Sequence, residues 1–125
     1  SRLDSHVVKA QINAMGARFL EEGERLVARP RGRMEAAEGA DFAAAVQQRL
    51  QARTKSVTID LAELAFISLG GIRALLQLAR ALKGGERDLD FLGGDYPVRE
   101  ALHQAGFDHL FAFTPPYHSH RGTSA

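Results

Sequence analysis

Cysteine is absent from the 125 residues, which excludes disulfides, thiol chemistry and cysteine-bound zinc. No apolar run approaches the roughly 20 residues that a membrane-spanning helix needs. No basic start followed by an apolar segment marks a secretory leader. An excess of one charge is lacking too: 16 basic residues face 15 acidic ones, for a formal net charge of +1. Binders of nucleic acid or anionic membranes carry a basic patch, so this balance argues against both. Together these absences point to the cytosol. The sequence begins at Ser1 rather than methionine, so fusion to an upstream domain, membrane-bound or not, is also an expectation. A chain of this length can bury one real core and is short for a two-domain enzyme.

What is present is a change of period along the chain. In residues 1–16, Val7, Val8, Ile12 and Met15 run on to Phe19 as a helical stripe, but Asn13 and Gly16 weaken it, so this stretch reads as a linker or short helix. ARFLEE, a turn near Gly23 and ERLVARPRGRM read as a hairpin. Pro30 in the second arm suggests an edge or a bulge, because proline cannot donate to a ladder. Phe42, Val46 and Leu50 then recur every four residues, which predicts an amphipathic helix over about residues 37–52.

VTIDLAEL reads as one buried strand. It runs through FISLGG into a second helix, Gly71 to Lys83, with Ile72, Leu75, Leu76, Ala79 and Leu82 inward and Arg73, Gln77, Arg80 and Lys83 outward. Gly84 and Gly85 end it, as a left-handed residue would. DLDFLGG is the next strand, Asp95 can cap a third helix with Pro97 in its first turn, and Val98, Ala101, Leu102 and Ala105 face inward. Gly106 stops that helix, FDHLFAF reads as a short strand, and residues 114–125 as a flexible tail. Strands alternating with helices imply an α/β fold. The sheet is expected to be mixed and mostly parallel, of four to five strands, with an antiparallel N-terminal hairpin and three or four helices.

The run from Ala17 to Phe113 resembles a STAS domain, the fold of bacterial anti-sigma factor antagonists and of the cytosolic tails of sulfate-type anion transporters. The resemblance lies in VTIDLAELAFISLGGIRALL, DLDFLGG and PVREALHQAGFDHLF, in that order. The antagonists usually carry Phe-Ile-Asp-Ser-Ser/Thr-Gly-Leu at the strand–helix turn, and the hydroxyl before the glycine is phosphorylated by a partner kinase that is also the anti-sigma factor. Laid on this chain, Ser68 falls at the aspartate, Leu69 at the first serine and Gly70 at the phospho-acceptor. The resemblance thus implies a non-enzymatic signalling module of transcription regulation. It would bind an ATPase-fold anti-sigma kinase, or a similar regulator, through Ser68, Leu69, Gly70, Gly71, Ile72 and Arg73, with no cofactor and no acceptor oxygen. The alternative is a transporter tail on the cytosolic face of a membrane.

Three accounts of the turn stand side by side. It is a binding loop fixed in its unphosphorylated form, for which Gly70→Ser is expected to restore an acceptor. Or it is plain structure, with Ser68 capping the helix, Leu69 in the core and the glycines relaxing the turn. Or Ser68 is itself a shifted phosphosite. A phosphate here would sit on a helix N-terminus and bring roughly −1.5 to −2 charges.

Other features have blander readings. Arg29, Arg31 and Arg33 alternate on one face of the second hairpin arm, as on a solvated edge strand. Gly84-Gly85 and Gly93-Gly94 lack a nucleotide-binding spacing. His103 and His109 are six apart, and His118 and His120 lie in the tail, so no metal site is expected. Asp60, Asp88 and Asp90 read as solubilisers at strand ends, and no histidine or serine stands in a triad setting.

Overall fold

A computed structural model of the chain describes residues 16–107, which form six strands and three helices. Strands β1 (Arg18–Glu22) and β2 (Arg25–Arg29) make the antiparallel hairpin. Its two-residue loop is Gly23-Glu24, and Gly23 takes φ +63 at the first central position. That is where a tight hairpin favours glycine. Pro30 ends β2 and is itself buried. β3 (Gly32–Met34) follows, then α1 (Ala36–Arg49), β4 (Ser56–Asp60), β5 (Leu64–Ile67), α2 (Leu69–Gly84), β6 (Asp88–Leu92) and α3 (Tyr96–Gln104).

The main sheet has the order β1-β2-β4-β6, antiparallel only between β1 and β2; β3 and β5 form a separate parallel pair. Period two sorts the main sheet into two faces. Leu26, Ala28, Val57, Ile59, Leu89 and Phe91 turn to the core, where they meet Phe42 and Val46 of α1, Leu75, Leu78 and Leu82 of α2, and Val98 and Leu102 of α3. Phe91 packs edge-on against Phe107 at 5.3 Å. Burying each such side chain is worth about 1.5–3 kcal/mol, so this face holds the fold together. The opposite face carries Arg18, Leu20, Glu22, Arg25, Val27, Arg29, Ser56, Thr58, Asp60, Asp88, Asp90 and Leu92, placed by register.

The α/β class, the hairpin and the mostly parallel sheet are as the sequence implies. Several local readings change. β2 is an interior strand, and Pro30 breaks the chain after it so that β3 joins a different sheet. VTIDLAEL is two strands in two sheets. The Asp60 carboxylate accepts the Ala62 N–H at 3.0 Å and the Leu61 N–H goes to the Leu92 carbonyl, which turns the chain at residues 61–63. The three arginines do not share a solvated face. Arg29 binds Asp60 at 2.9 Å, Arg31 faces Glu63 at 3.6 Å, and Arg33 lies over the Phe66 ring and near Glu35.

Asp60 is buried between Arg29 and the Ala62 amide rather than solubilising a strand end. Asp90 accepts the Thr58 hydroxyl at 2.6 Å, while Asp88 is exposed. Helix α1 ends at Arg49, with Leu50 half-buried beyond it. The left-handed residue after α2 is Glu86, at φ 61, not a glycine. Ala105 is exposed. The expectations for residues 1–15 and 108–125, including a strand over FDHLFAF beyond Phe107 and the histidines 109, 118 and 120, lie outside the described residues.

Candidate partner-binding turn

Ser68 is the hinge of the strand–helix turn. Its extended backbone (φ −89, ψ 172) ends β5, and its Oγ accepts the Gly71 N–H at 3.1 Å. Its carbonyl accepts the Ile72 N–H at 2.9 Å, the first bond of the helix. A serine in that role satisfies one of the donors that a helix start leaves open. The expected cap is therefore present, and the hydroxyl is committed to it.

Leu69 points the other way. It is 64% exposed, so the reading that places it in the core does not hold. Arg73 is also exposed, while Ile72 is buried beside the core. Phe66, just before the cap, is 37% exposed, and the Arg33 guanidinium stands 4.1 Å from its ring centre. The turn thus offers solvent two large apolar side chains flanked by two arginines.

The glycines do not relax the turn. Neither Gly70 nor Gly71 has a positive φ, so what they supply is room. A β-carbon at position 71 would collide with the Met34 carbonyl oxygen. That same oxygen accepts the Ser68 N–H at 2.9 Å, so the end of β3 is pinned to the start of α2. A β-carbon at position 70 would lie 2.7 Å from Ala36 Cβ and 3.1 Å from Ala36 Cα. Gly39 makes the same allowance one turn along α1, where a β-carbon would stand 2.8 Å from Ala74 Cβ. The first turns of α1 and α2 therefore meet almost backbone to backbone.

This bears on Gly70→Ser. A side chain there must displace the start of α1, whose nearest atoms are backbone and a β-carbon rather than a flexible tip. Glu35 and Glu38 also stand in the first turn of α1, with the Glu35 N–H bonded to Glu38 at 3.1 Å. A phosphoryl group at position 70 would enter a place already occupied by Ala36. The expectation that serine alone makes position 70 an open acceptor therefore lacks the space it needs.

Met34, Ala36 and Gly39 are the parts of this region that sequence reasoning passed over, and Phe66 was read only as a match to the family's turn. The small residues of AAEGA were a signal for close packing, since they recur three apart at Ala36 and Gly39. Among the described residues no three of His, Cys, Asp and Glu stand together as a metal site, and no helix is long and apolar enough to cross a membrane.

The comparisons with known proteins agree with one another. The family model described as "Mlab, STAS domain" matches residues 10–113. An anti-sigma factor antagonist from Mycobacterium paratuberculosis shares the fold with a TM-score of 0.69 at 18% identity, over 79% of this chain and 84% of that one. The phosphorylated form of the Bacillus cell fate determinant SpoIIAA matches with a TM-score of 0.62 at 14% identity, over 86% and 98% of the two chains. Unphosphorylated SpoIIAA gives 0.56 at 16% identity, over 79% and 87%. No curated protein sequence matches the chain.

Proposed function

The chain belongs to the STAS family, and from that premise we propose that it is a non-enzymatic interaction module of the anti-sigma antagonist type. It binds an ATPase-fold kinase or a similar regulator through Ser68–Arg73 and withdraws it from its other client. The observation that carries this reading is Leu69, a leucine 64% exposed on the first residue of a tightly capped helix. A large apolar side chain in water on a fixed backbone is well suited to be an anchor, since little ordering remains for binding to impose.

Phosphorylation is not its control. Position 70 has no side-chain oxygen, a side chain there must displace the start of α1, and the Ser68 hydroxyl already caps the Gly71 amide. The module binds as long as it is present, and regulation comes from its amount or from other segments. Withdrawal of the inhibitor then follows from mass action alone.

The test is capture from a lysate of the source organism by the wild-type chain and by Leu69→Asp, with mass spectrometric identification. The expected result is an ATPase-fold kinase or regulator retained by the wild type and lost from the variant. Capture that ignores Leu69 would remove the turn from the binding surface. Recovery of membrane transport proteins alone would favour a transporter-tail role and overturn the antagonist reading.

A further inference from the structure

Strand β1 is the outer strand of the main sheet, and its sequence is RFLEE. Alternate residues of such a strand turn their N–H and C=O away from β2. Among the described residues no strand takes them. Leu20, at its centre, is 55% exposed. It lies on the face of the sheet turned away from the helices, beside Val27 of β2, and a shallow depression there is lined by Arg18, Phe19, Leu20, Val27 and Arg29.

We infer that β1 pairs antiparallel with β1 of a second copy of this chain, about a two-fold axis at Leu20. The sequence favours that register. With Leu20 opposite its own copy, Arg18 of each chain stands opposite Glu22 of the other, on the same face. A two-fold pairing joins like faces, so the neighbouring registers lie two residues away in sequence sum. One of them sets Glu21 opposite Glu21, a like-charge pair. The other sets Arg18 opposite Leu20 and leaves both glutamates beyond the partner strand. Only the Leu20-centred register forms two ion pairs and brings both exposed leucines together.

Glu21 does not compete for this pairing. It turns to the other face, where it accepts from Gln51 at 3.1 Å and meets Arg53 at 3.6 Å. Phe19 is likewise held on that face, stacked on Phe42 with Arg49 over its ring. Among the described residues Glu22 meets only Arg25 of its own hairpin, at 3.7 Å with both side chains half exposed. That is a weak bond to exchange.

The product is a continuous eight-stranded sheet with an isologous centre. Two five-residue strands give a contact below the roughly 1,200 Å² of a standard interface, so the dimer is concentration-dependent. The inference goes beyond the partner reading and uses none of its residues.

Sedimentation velocity on the full chain, taken up to ~1 mM, tests it. The wild type is expected to dimerise. Arg18→Glu and Glu22→Arg are each expected to weaken dimerisation at least about tenfold, since two attractions become two repulsions. An equimolar mixture of the two variants is expected to dimerise again, because each repulsive pair becomes an attractive one. In a chain without cysteine, Leu20→Cys is expected to form an intermolecular disulfide. Opposed Cα atoms lie about 4.5–5.5 Å apart, within the range that bond accepts. Arg18→Glu in the same chain should suppress that cross-link. A monomer at every concentration, a mixture that stays monomeric, or a cross-link indifferent to Arg18→Glu would each overturn the inference.

Discussion

Helices α2 and α3 both begin where a strand has just ended, yet the two starts are built differently. At α2 the Ser68 hydroxyl takes a helix amide, and two glycines let Met34 and Ala36 come down onto the backbone. At α3, Asp95 stands in the cap position without a side-chain bond to the helix, Pro97 lies in the first turn, and Tyr96 is 62% exposed. One start is closed against a neighbouring helix, and the other has no helix among the described residues pressed onto its first turn, although Gly94 just before it lies against Leu61. A glycine at the closed start is a statement about a neighbour, whereas the proline at the open one concerns only the local chain.

Substitution can break that contrast. The largest effect is expected at Gly71. A methyl group there meets a carbonyl oxygen already engaged by Ser68, so Gly71→Ala should cost about 3 kcal/mol, at the upper end for overpacking. Urea unfolding would read this as a lower midpoint with an unchanged slope. A near-neutral result would mean that β3 can leave α2 freely.

Gly70→Ser comes next, at about 1–2 kcal/mol, and its origin can be isolated. Combined with Ala36→Gly it should lose less than the two single changes predict together, because the crowding needs both side chains. Additive losses would place the crowding elsewhere. The caps come last. Ser68→Ala should cost about 1 kcal/mol, while Asp95→Ala should stay within about 0.5 kcal/mol, having no cap bond to lose. Equal losses at the two caps would erase the distinction between the starts.

Much of the fold was legible because the apolar periods are clear. Ile72, Leu75, Ala79 and Leu82 are all buried at the spacing that announced α2. The hairpin was legible from its glycine turn. The break inside VTIDLAEL was not, since its residues are apolar on both sides of the turn, and what divides them is the reach of Asp60 to the Ala62 amide together with the Leu61 bond to Leu92.

The site was half legible. Ser68 as a cap follows from local chemistry, and the structure shows it. The meaning of Gly70 and Gly71 lies with Met34 and Ala36, more than thirty residues upstream, where no local pattern reaches. The exposure of Leu69 was hidden for a similar reason. An apolar residue at a helix start reads equally well as core or surface until the helix is turned in space.

The Met34 carbonyl also fixes how the turn can be met. It holds the Ser68 amide and fills the space above Gly71, so the strand end and the helix start move as one body. Such a surface has no closing motion to wait for. For the partner proposed above, the encounter rate would then be set by diffusion and orientation, and differences between partners would appear in how slowly they leave. Amide hydrogen exchange at Ser68 would follow the opening of this joint, and if the proposed partner binds only the closed joint, exchange is expected to slow in proportion to its occupancy.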